Sequence, residues 1–377
     1  MSDVRHGNDR KIIRILHCAD LHLSNAGDER EYSLSVLDEI ASKALRESAR
    51  YLLFSGDTFN SFADAEALRV DFRSRMKTLQ GSCEVILLSG NHEDLGRKGR
   101  RLASFDLGIQ PQNIVEPSEH PFTLMLRDGV EFFAIPHRPH YNDYTEWSVP
   151  DKEKPFRVAL AHGIVAGMSY TWQDEETSAP AGVMDPDLFE RNRVDYAALG
   201  HIHSFRRRRS GVTEIVYPGS ARVWRKNETG PRRVVLVTLD EGVDISTLKI
   251  ASAGQYRSID IFIDFDGTLS DAPLDDPGEP GPADFVHLRF FGLVEDERKT
   301  LNEVNQLVMN LKTRVRRVEC ETRLTVLEGI SRHPVAQKFV HLIERKKPEA
   351  ESDQYPTWKR AREMGLLKIK EIIEAGL

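Results

Sequence analysis

Five short apolar segments shape this sequence, and each one ends in a turn that carries Asp, Asn or His. They lie at 11–15, 51–54, 83–88, 156–160 and 195–199. Amphipathic stretches separate the first three segments, and in the first stretch Leu34, Leu37 and Ile40 recur at helical spacing. Apolar strands that alternate with helices predict a layered α/β fold.

The turns after these segments carry side chains that bind divalent metals. Asp20 and His22 follow the first segment two residues apart, so both would project to one face of an extended backbone. The next two turns, at Asp57 and Asn91, follow at intervals of about 35 residues, the length of one βαβ unit. Because the carboxyl ends of such strands converge at one edge of a sheet, we expect a site for two metals there. Its candidate ligands are Asp20, His22, Asp57, Asn91, His162, His201 and His203.

Composition narrows the class of protein. The 377 residues are 40% hydrophobic, and no apolar run approaches the roughly 20 residues that a membrane span needs. The first residues lack the apolar core of a signal peptide. The three cysteines are odd in number and far apart, which is typical of a reducing compartment, so we expect a cytoplasmic protein. The net charge of −7 argues mildly against nucleic acid, although the local distribution of charge matters more.

A break in composition near 252–255 divides the chain. After it, a strand, a loop rich in Pro, Gly and Asp, and a strand–helix–strand pattern predict a smaller β-α-β domain. We therefore expect a catalytic domain at 1–255, a cap domain at 256–330 and a C-terminal helical segment at 331–377.

The order of the polar turns resembles the calcineurin-like metallophosphoesterase superfamily. The shared motifs are D-L-H at 20–22, G-D at 56–57, G-N-H-E at 90–93, H-G at 162–163 and G-H-I-H at 200–203. The resemblance implies an α/β fold built as a four-layer α-β-β-α sandwich. It also implies that two divalent metals, with Mn²⁺ expected, promote in-line attack of water on phosphorus.

The same resemblance implies a role for each candidate residue. One metal would be held by Asp20, His22 and His203, the other by Asn91, His162 and His201, and Asp57 would bridge the two. His92 would be the catalytic residue that contacts the phosphate and protonates the leaving oxygen.

Further motifs resemble DNA-repair exonucleases of the SbcD type. They are D-L-H-L-S at 20–24, F-S-G-D-T-F at 54–59 and Y-P-G-S at 217–220. This resemblance implies exonuclease or endonuclease cleavage of DNA, a cap that shapes DNA access, and C-terminal helices that bind an SMC-like ATPase of the SbcC type. A homodimer is left open. One departure is Asn60, where that family often has His.

Basic side chains close to the motifs are candidate DNA contacts. They are Arg97, Arg101, Arg206, Arg207, Arg222 and Arg225. Each could instead belong to a solvated face, and Trp224 could either stack on a base or pack in the fold. Two other functions stay open: a metallophosphoesterase acting on nucleotides or phosphoproteins, and a non-catalytic scaffold that binds DNA ends or the ATPase.

Overall fold

The computed structural model separates into two compact units, Met1–Tyr256 and Arg257–Leu377. It describes residues 12–94, 97–138, 147–168, 182–226, 228–265, 267–269, 279–327, 329–349 and 352–375. In the part of the chain so described, no helix is both long enough and apolar enough to span a membrane.

The first unit alternates strands and helices over its first half and is mostly strands afterwards. Its elements are β1 (Ile13–Cys18), α1 (Gly27–Arg46), β2 (Tyr51–Ser55), α2 (Phe62–Leu79), β3 (Glu84–Leu88), β4 (Ile114–Val115), β5 (Thr123–Leu126), β6 (Val130–Ile135), β7 (Phe156–His162), β8 (Ile164–Val165), β9 (Val183–Met184), α3 (Asp187–Arg191), β10 (Tyr196–Gly200), β11 (Arg206–Ser210), β12 (Thr213–Tyr217), β13 (Gly230–Pro231), β14 (Arg233–Leu239) and β15 (Val243–Lys249).

The first sheet has the strand order β15-β14-β1-β2-β3-β4. In it β1, β2 and β3 are parallel, with Cys18 opposite Phe54 and Ser55 opposite Leu88. The carboxyl ends of these strands therefore lie at one edge of the sheet. The turns that carry Asp20, Asp57 and Asn91 follow from that edge, as the sequence pattern predicted.

The second sheet has the order β11-β12-β10-β7-β6-β5. Here β7 and β10 are parallel, and Gly200 lies opposite His162. The turns after these two strands consequently start side by side, which brings His162 next to the segment that holds His201 and His203.

The core lies between the two sheets. It contains Ile15 and Leu53 from the first sheet and Phe132, Leu160 and Ala198 from the second. Helices α1 and α2 bury one apolar face each, and the other face of the second sheet packs on α3 through Leu188 and Phe189. This layering confirms the predicted α-β-β-α sandwich.

Two stretches of the first unit differ from the expectation. Arg206–Ser210 forms β11, which periodicity could not predict because an edge strand can be charged on both faces. Val183–Met184 forms β9, which pairs with β8, although the polar composition of residues 170–186 predicts an exposed loop there. Residues 170–181 of that expected loop lie outside the described part of the chain.

The second unit has its own core. Its elements are β16 (Gln255–Ile263, which starts in the first unit), β17 (Phe285–Val294), α4 (Glu297–Lys312), β18 (Arg317–Val326), α5 (Pro334–Glu344) and α6 (Tyr355–Glu374). Strands β17 and β18 are parallel and are joined by α4, which packs on the sheet through Val304. Leu366 of α6 and Ala336 of α5 lie in a further buried cluster. The role of this unit as a cap stays a prediction.

Candidate metal centre

Several candidate ligands lie in a backbone conformation that residues with side chains seldom adopt. The φ angles of Asp20, His22, Asp57 and His201 are 51°, 46°, 48° and 99°. Such conformations cost roughly 1–3 kcal/mol each, so the surrounding structure must hold them. Backbone hydrogen bonds join the turn after β1 to the turn after β2. The N–H of Asp20 donates to Gly56 O at 3.1 Å, and the N–H of His22 donates to Asp57 O at 2.9 Å.

Glu93 joins the turn after β3, in which it lies, to the turn after β2. Its buried carboxylate accepts the N–H groups of Gly90 (2.7 Å), Phe59 (2.9 Å) and Asp57 (3.2 Å). Burial, together with the nearby Asp57 charge, raises the pKa of Glu93 to about 8. The G-N-H-E motif contains Glu93 but does not by itself indicate a role for it. The structure shows that it fixes the turn from which Asp57 projects.

Asp57, Asn91 and His162 meet where the two sheets face each other. Nε2 of His162 lies 2.9 Å from Asn91 Oδ1 and 3.2 Å from Asp57 Oδ2. The opposite ring nitrogen, Nδ1, lies 2.9 Å from Ser55 O and donates to it, so Nε2 is directed at the two oxygens. Burial lowers the pKa of His162, but the charges of Asp57 and Asp20 outweigh it and raise the pKa to about 10.

Asp20, His22 and His203 form a second buried group. Nε2 of His22 lies 3.2 Å from Nε2 of His203. The N–H of His201 donates to both carboxylate oxygens of Asp20, at 2.9 and 3.1 Å. The His201 ring lies near His162, with 5.2 Å between the ring centroids. All seven candidate ligands are therefore buried and close together.

His92 lies at the border of the two groups. The centroid of its ring is 4.5 Å from that of the His22 ring. The backbone N–H of His92 donates to Asp57 Oδ1 at 2.9 Å. Nδ1 of the ring lies 2.8 Å from the backbone oxygen of Asn60, which helps to orient the ring. Asn60, the departure from the SbcD-type pattern, thus contacts His92 through its backbone.

A model of the calcineurin-like phosphoesterase family matches residues 13–205, just over half of the 377 residues. The chain belongs to the calcineurin-like phosphoesterase family. An uncharacterized metallophosphoesterase of Bacillus subtilis, YhaO, is 23% identical over 261 residues. That alignment covers 62% of this chain and 59% of YhaO, so the chain spans less than two thirds of that relative.

Solved structures with similarity to this chain include a plant phosphatase and a protein of Plasmodium. Purple acid phosphatase PPD1 from yellow lupin seeds has a TM-score of 0.43 and 17% identity, over 66% of this chain and 53% of PPD1. GAP50 of Plasmodium has a TM-score of 0.42 and 11% identity, over 64% of this chain and 86% of GAP50.

The site of this calcineurin-like phosphoesterase fits divalent metals. Nitrogen and oxygen ligands of this kind suit borderline and hard dications. Two imidazole nitrogens that share an ion at about 2.1 Å, roughly 90–109° apart, lie about 3.0–3.4 Å from each other. The 3.2 Å between Nε2 of His22 and Nε2 of His203 matches that spacing. Bound metals would supply charge stabilisation at phosphate oxygens and a more acidic water.

The arginine run of β11 does not lie along the metal edge as a whole. Arg206 pairs with Tyr217, at the carboxyl end of β12, whereas Arg209 pairs with Glu214 near the other end. Since β12 is parallel to β10, Arg206 is the member of the run nearest to the turn with His201 and His203. Arg209 lies about 10 Å farther along the strand. The run therefore approaches the site only at its Arg206 end.

Arg222 is not a DNA contact, because it is fully buried. Its guanidinium donates to Leu21 O at 2.8 Å and to His22 O at 2.6 Å, and it pairs with Glu29 at 2.6 Å. Trp224 is partly buried and packs in the fold with one face of its ring. Its indole stacks on the His22 ring, with 4.8 Å between centroids and 7° between planes, so that ring face packs in the fold.

Three of the other five basic candidates already have acidic partners. Arg97 and Arg101 both pair with Glu116, at 3.8 and 3.3 Å, and Arg207 pairs with Glu214 at 3.0 Å. Arg101 and Arg207 nevertheless remain about half exposed or more, at 62% and 45% of their side chains. These three stay candidate contacts, with part of their charge already neutralised.

Gly200 lies where the two sheets approach each other closely. A Cβ there would lie 1.9 Å from Ser55 O and 2.8 Å from His162 Nδ1, and the backbone oxygen cannot move aside. We expect Gly200→Ala to lower the free energy of unfolding by about 1–3 kcal/mol or more and to weaken Mn²⁺ binding by displacing His162. Denaturant titration and calorimetry measure the two effects.

Gly242→Ala is the matched control, because nothing lies within 4 Å of the Cβ that it would add. Equal stability and equal metal affinity in the two variants would contradict this account of the interface between the sheets.

Proposed function

We propose that this protein is a two-metal DNA nuclease of the SbcD type that processes DNA ends by exonuclease or endonuclease cleavage. The observation that carries the proposal is a buried cluster of metal-type side chains, in which overlapping groups of three bring potential ligand atoms within 4.8 Å of one another. The residues of these groups are Asp20, His22, Asp57, His92, His162 and His203. A phosphodiester needs charge stabilisation at its oxygens and a proton for the leaving oxygen, and this cluster provides groups for both.

The proposed roles follow from the geometry of the side chains. Asp20, His22 and His203 would hold one metal. Asn91, His162 and His201 would hold the other, and Asp57 would contact both. His92 would hold a proton on Nε2 and donate it to the leaving oxygen, while Nδ1 stays bound to Asn60 O.

The choice of DNA rests on motifs and on charge near the site. The Y-P-G-S motif ends in Ser220, whose N–H donates to His203 O at 3.0 Å, so this motif contacts the backbone of a proposed metal ligand. Arg206 lies at the end of β11 that is nearer to the site, and Arg225 lies in the segment that follows Trp224. Arginines at such positions suit contacts with the phosphate backbone of DNA.

A metallophosphoesterase for nucleotides or phosphoproteins is the second candidate. The burial of Arg222 and the glutamate partners of Arg97, Arg101 and Arg207 favour it, because they reduce the positive charge available to a long polyanion. Efficient turnover of a small diester without DNA cleavage would support this second candidate.

His92→Ala tests the catalytic assignment. If His92 protonates the leaving oxygen, the variant should cleave end-labelled duplex and hairpin DNA with Mn²⁺ about 10²–10⁴-fold more slowly. The bound Mn²⁺ per chain should stay the same, since His92 is not a proposed ligand. A variant as fast as the parent would disprove the role of His92, and a parent that leaves DNA intact with and without an ATPase partner would disprove the nuclease.

Arg206→Ala tests the position of the DNA. Removing one phosphate contact should weaken DNA binding several-fold and reduce the slope of log K against log salt by about 1. The turnover of a small diester should not change. Arg209→Ala is the control from the far end of the same strand and should stay within about twofold of the parent. Equal losses of DNA affinity in both variants would rule out the proposed position of the DNA beside Arg206.

The ATPase partner is proposed to bind the C-terminal helices. In the apolar stripe of α6, Leu366, Ile369 and Ile373 pack within the second unit, so they are not available to a partner. On α5, Val335 and Leu342 are seven residues apart and 56% and 52% exposed. Such a pair on one helix face suits docking against another helix.

A double variant, Val335→Asp with Leu342→Asp, tests this docking site. It should lose binding to a co-expressed SMC-like ATPase in a pull-down, because the partner would have to bury two charges. Cleavage of a small diester should be unchanged. Val183, also 56% exposed but on β9, provides the control variant Val183→Asp. Retained ATPase binding by the double variant would refute the site.

A further inference from the structure

Glu228 contacts one of the proposed metal ligands directly. Its Oε1 lies 2.6 Å from Nδ1 of His203, and both side chains are at most 5% exposed. The other oxygen, Oε2, accepts the hydroxyl of Ser220 at 2.9 Å and the N–H of Trp224 at 3.1 Å. The carboxylate is thus held in place from the side away from His203.

The residues just before Glu228 hold the second histidine of the same group. Trp224 stacks on the His22 ring, and the guanidinium of Arg222 binds the backbone oxygens of Leu21 and His22. Tyr32 supports this segment, since its hydroxyl accepts the N–H of Val223 at 3.0 Å. One short stretch of chain, residues 221–226 with Glu228, therefore fixes both histidines of the Asp20–His22–His203 group.

The other proposed metal position has a different kind of support. The ring of His162 is oriented by a neutral backbone oxygen, that of Ser55, at 2.9 Å. A carboxylate partner makes a charge-assisted hydrogen bond, fixes the tautomer of the imidazole and raises the basicity of the ligating nitrogen. His203 consequently has the stronger orienting contact of these two histidines.

We infer that Glu228 is a positioning residue that makes the Asp20–His22–His203 group the tighter of the two metal positions. The inference rests on the two-metal assignment proposed above. Glu228 has a second buried neighbour, Arg232, whose Nη1 lies 3.4 Å from Oε2. A purely structural role in neutralising Arg232 is the competing explanation, so the experiment must separate the two contacts.

Two substitutions at Glu228 separate its contact with His203 from its contact with Arg232. Glu228→Gln keeps the size of the side chain and removes its charge. Glu228→Asp keeps a negative charge beside Arg232 but is one methylene shorter, so it cannot keep its contact with Nδ1 of His203. Glu214→Gln is the matched control, because Glu214 is equally buried and paired with an arginine, but it lies on β12 and contacts Arg207.

The measurement is Mn²⁺ titration of the metal-free protein by calorimetry, with electron paramagnetic resonance to count the ions. The parent should bind two Mn²⁺ with unequal affinity. Both Glu228 variants should weaken the tighter ion about 10–100-fold and leave the weaker ion within about twofold, whereas Glu214→Gln should change neither. If only Glu228→Gln weakens the tighter ion, or if both ions weaken equally, the inference is overturned.

A His203→Ala background shows whether Glu228 acts through His203. In that background Glu228→Gln should have no further effect on the remaining Mn²⁺, and the metal-free melting temperature should stay within a few degrees of that of His203→Ala alone. A further loss of affinity there would overturn the inference. A parent that binds no Mn²⁺ would instead reject the proposed two-metal function itself, so the two failures can be told apart.

Discussion

The site depends on hydrogen bonds that hold three consecutive turns together. The Glu93 carboxylate gathers the N–H groups of Gly90, Phe59 and Asp57, and the turn of Asp20 and His22 adds its own N–H groups to the backbone oxygens of the next turn. These bonds stabilise left-handed backbone at residues that are not glycine. Parallel strands bring the turns to one edge, and the bonds then set the direction of each ligand.

Close approach between the two sheets completes the centre. A side chain at Gly56, Gly90 or Gly200 would place its Cβ within 2.1 Å of a side-chain or backbone atom of the site. At Gly56 and Gly90 the atoms met first belong to the proposed ligands His162 and Asp57. The absence of a Cβ at Gly56 and Gly200 lets the two sheets approach each other, and its absence at Gly90 leaves room for Asp57 from the neighbouring turn. The close packing of the sandwich therefore sets the geometry of the candidate site.

Much of this could be predicted from the sequence, because apolar strands and the polar turns after them are local patterns. Those patterns predicted the α/β sandwich, and the seven candidate ligands lie close together in the structure. The misses have a common cause, since each depends on contacts that no local pattern of apolar and polar residues indicates. Arg222 looked like a surface charge, but its partner Glu29 is 193 residues away. Glu228 follows His203 by 25 residues in a polar stretch with no pattern, and β11 forms only by pairing with β12.

The central claim is that seven ligands from both sheets hold two divalent metals. A crystal structure of the Mn²⁺-loaded protein, with anomalous difference maps, tests it most directly. The account predicts two peaks, one among Asp20, His22 and His203 and one among Asn91, His162 and His201, with Asp57 in contact with both. A single peak, peaks on other side chains, or no peak at saturating Mn²⁺ would contradict it.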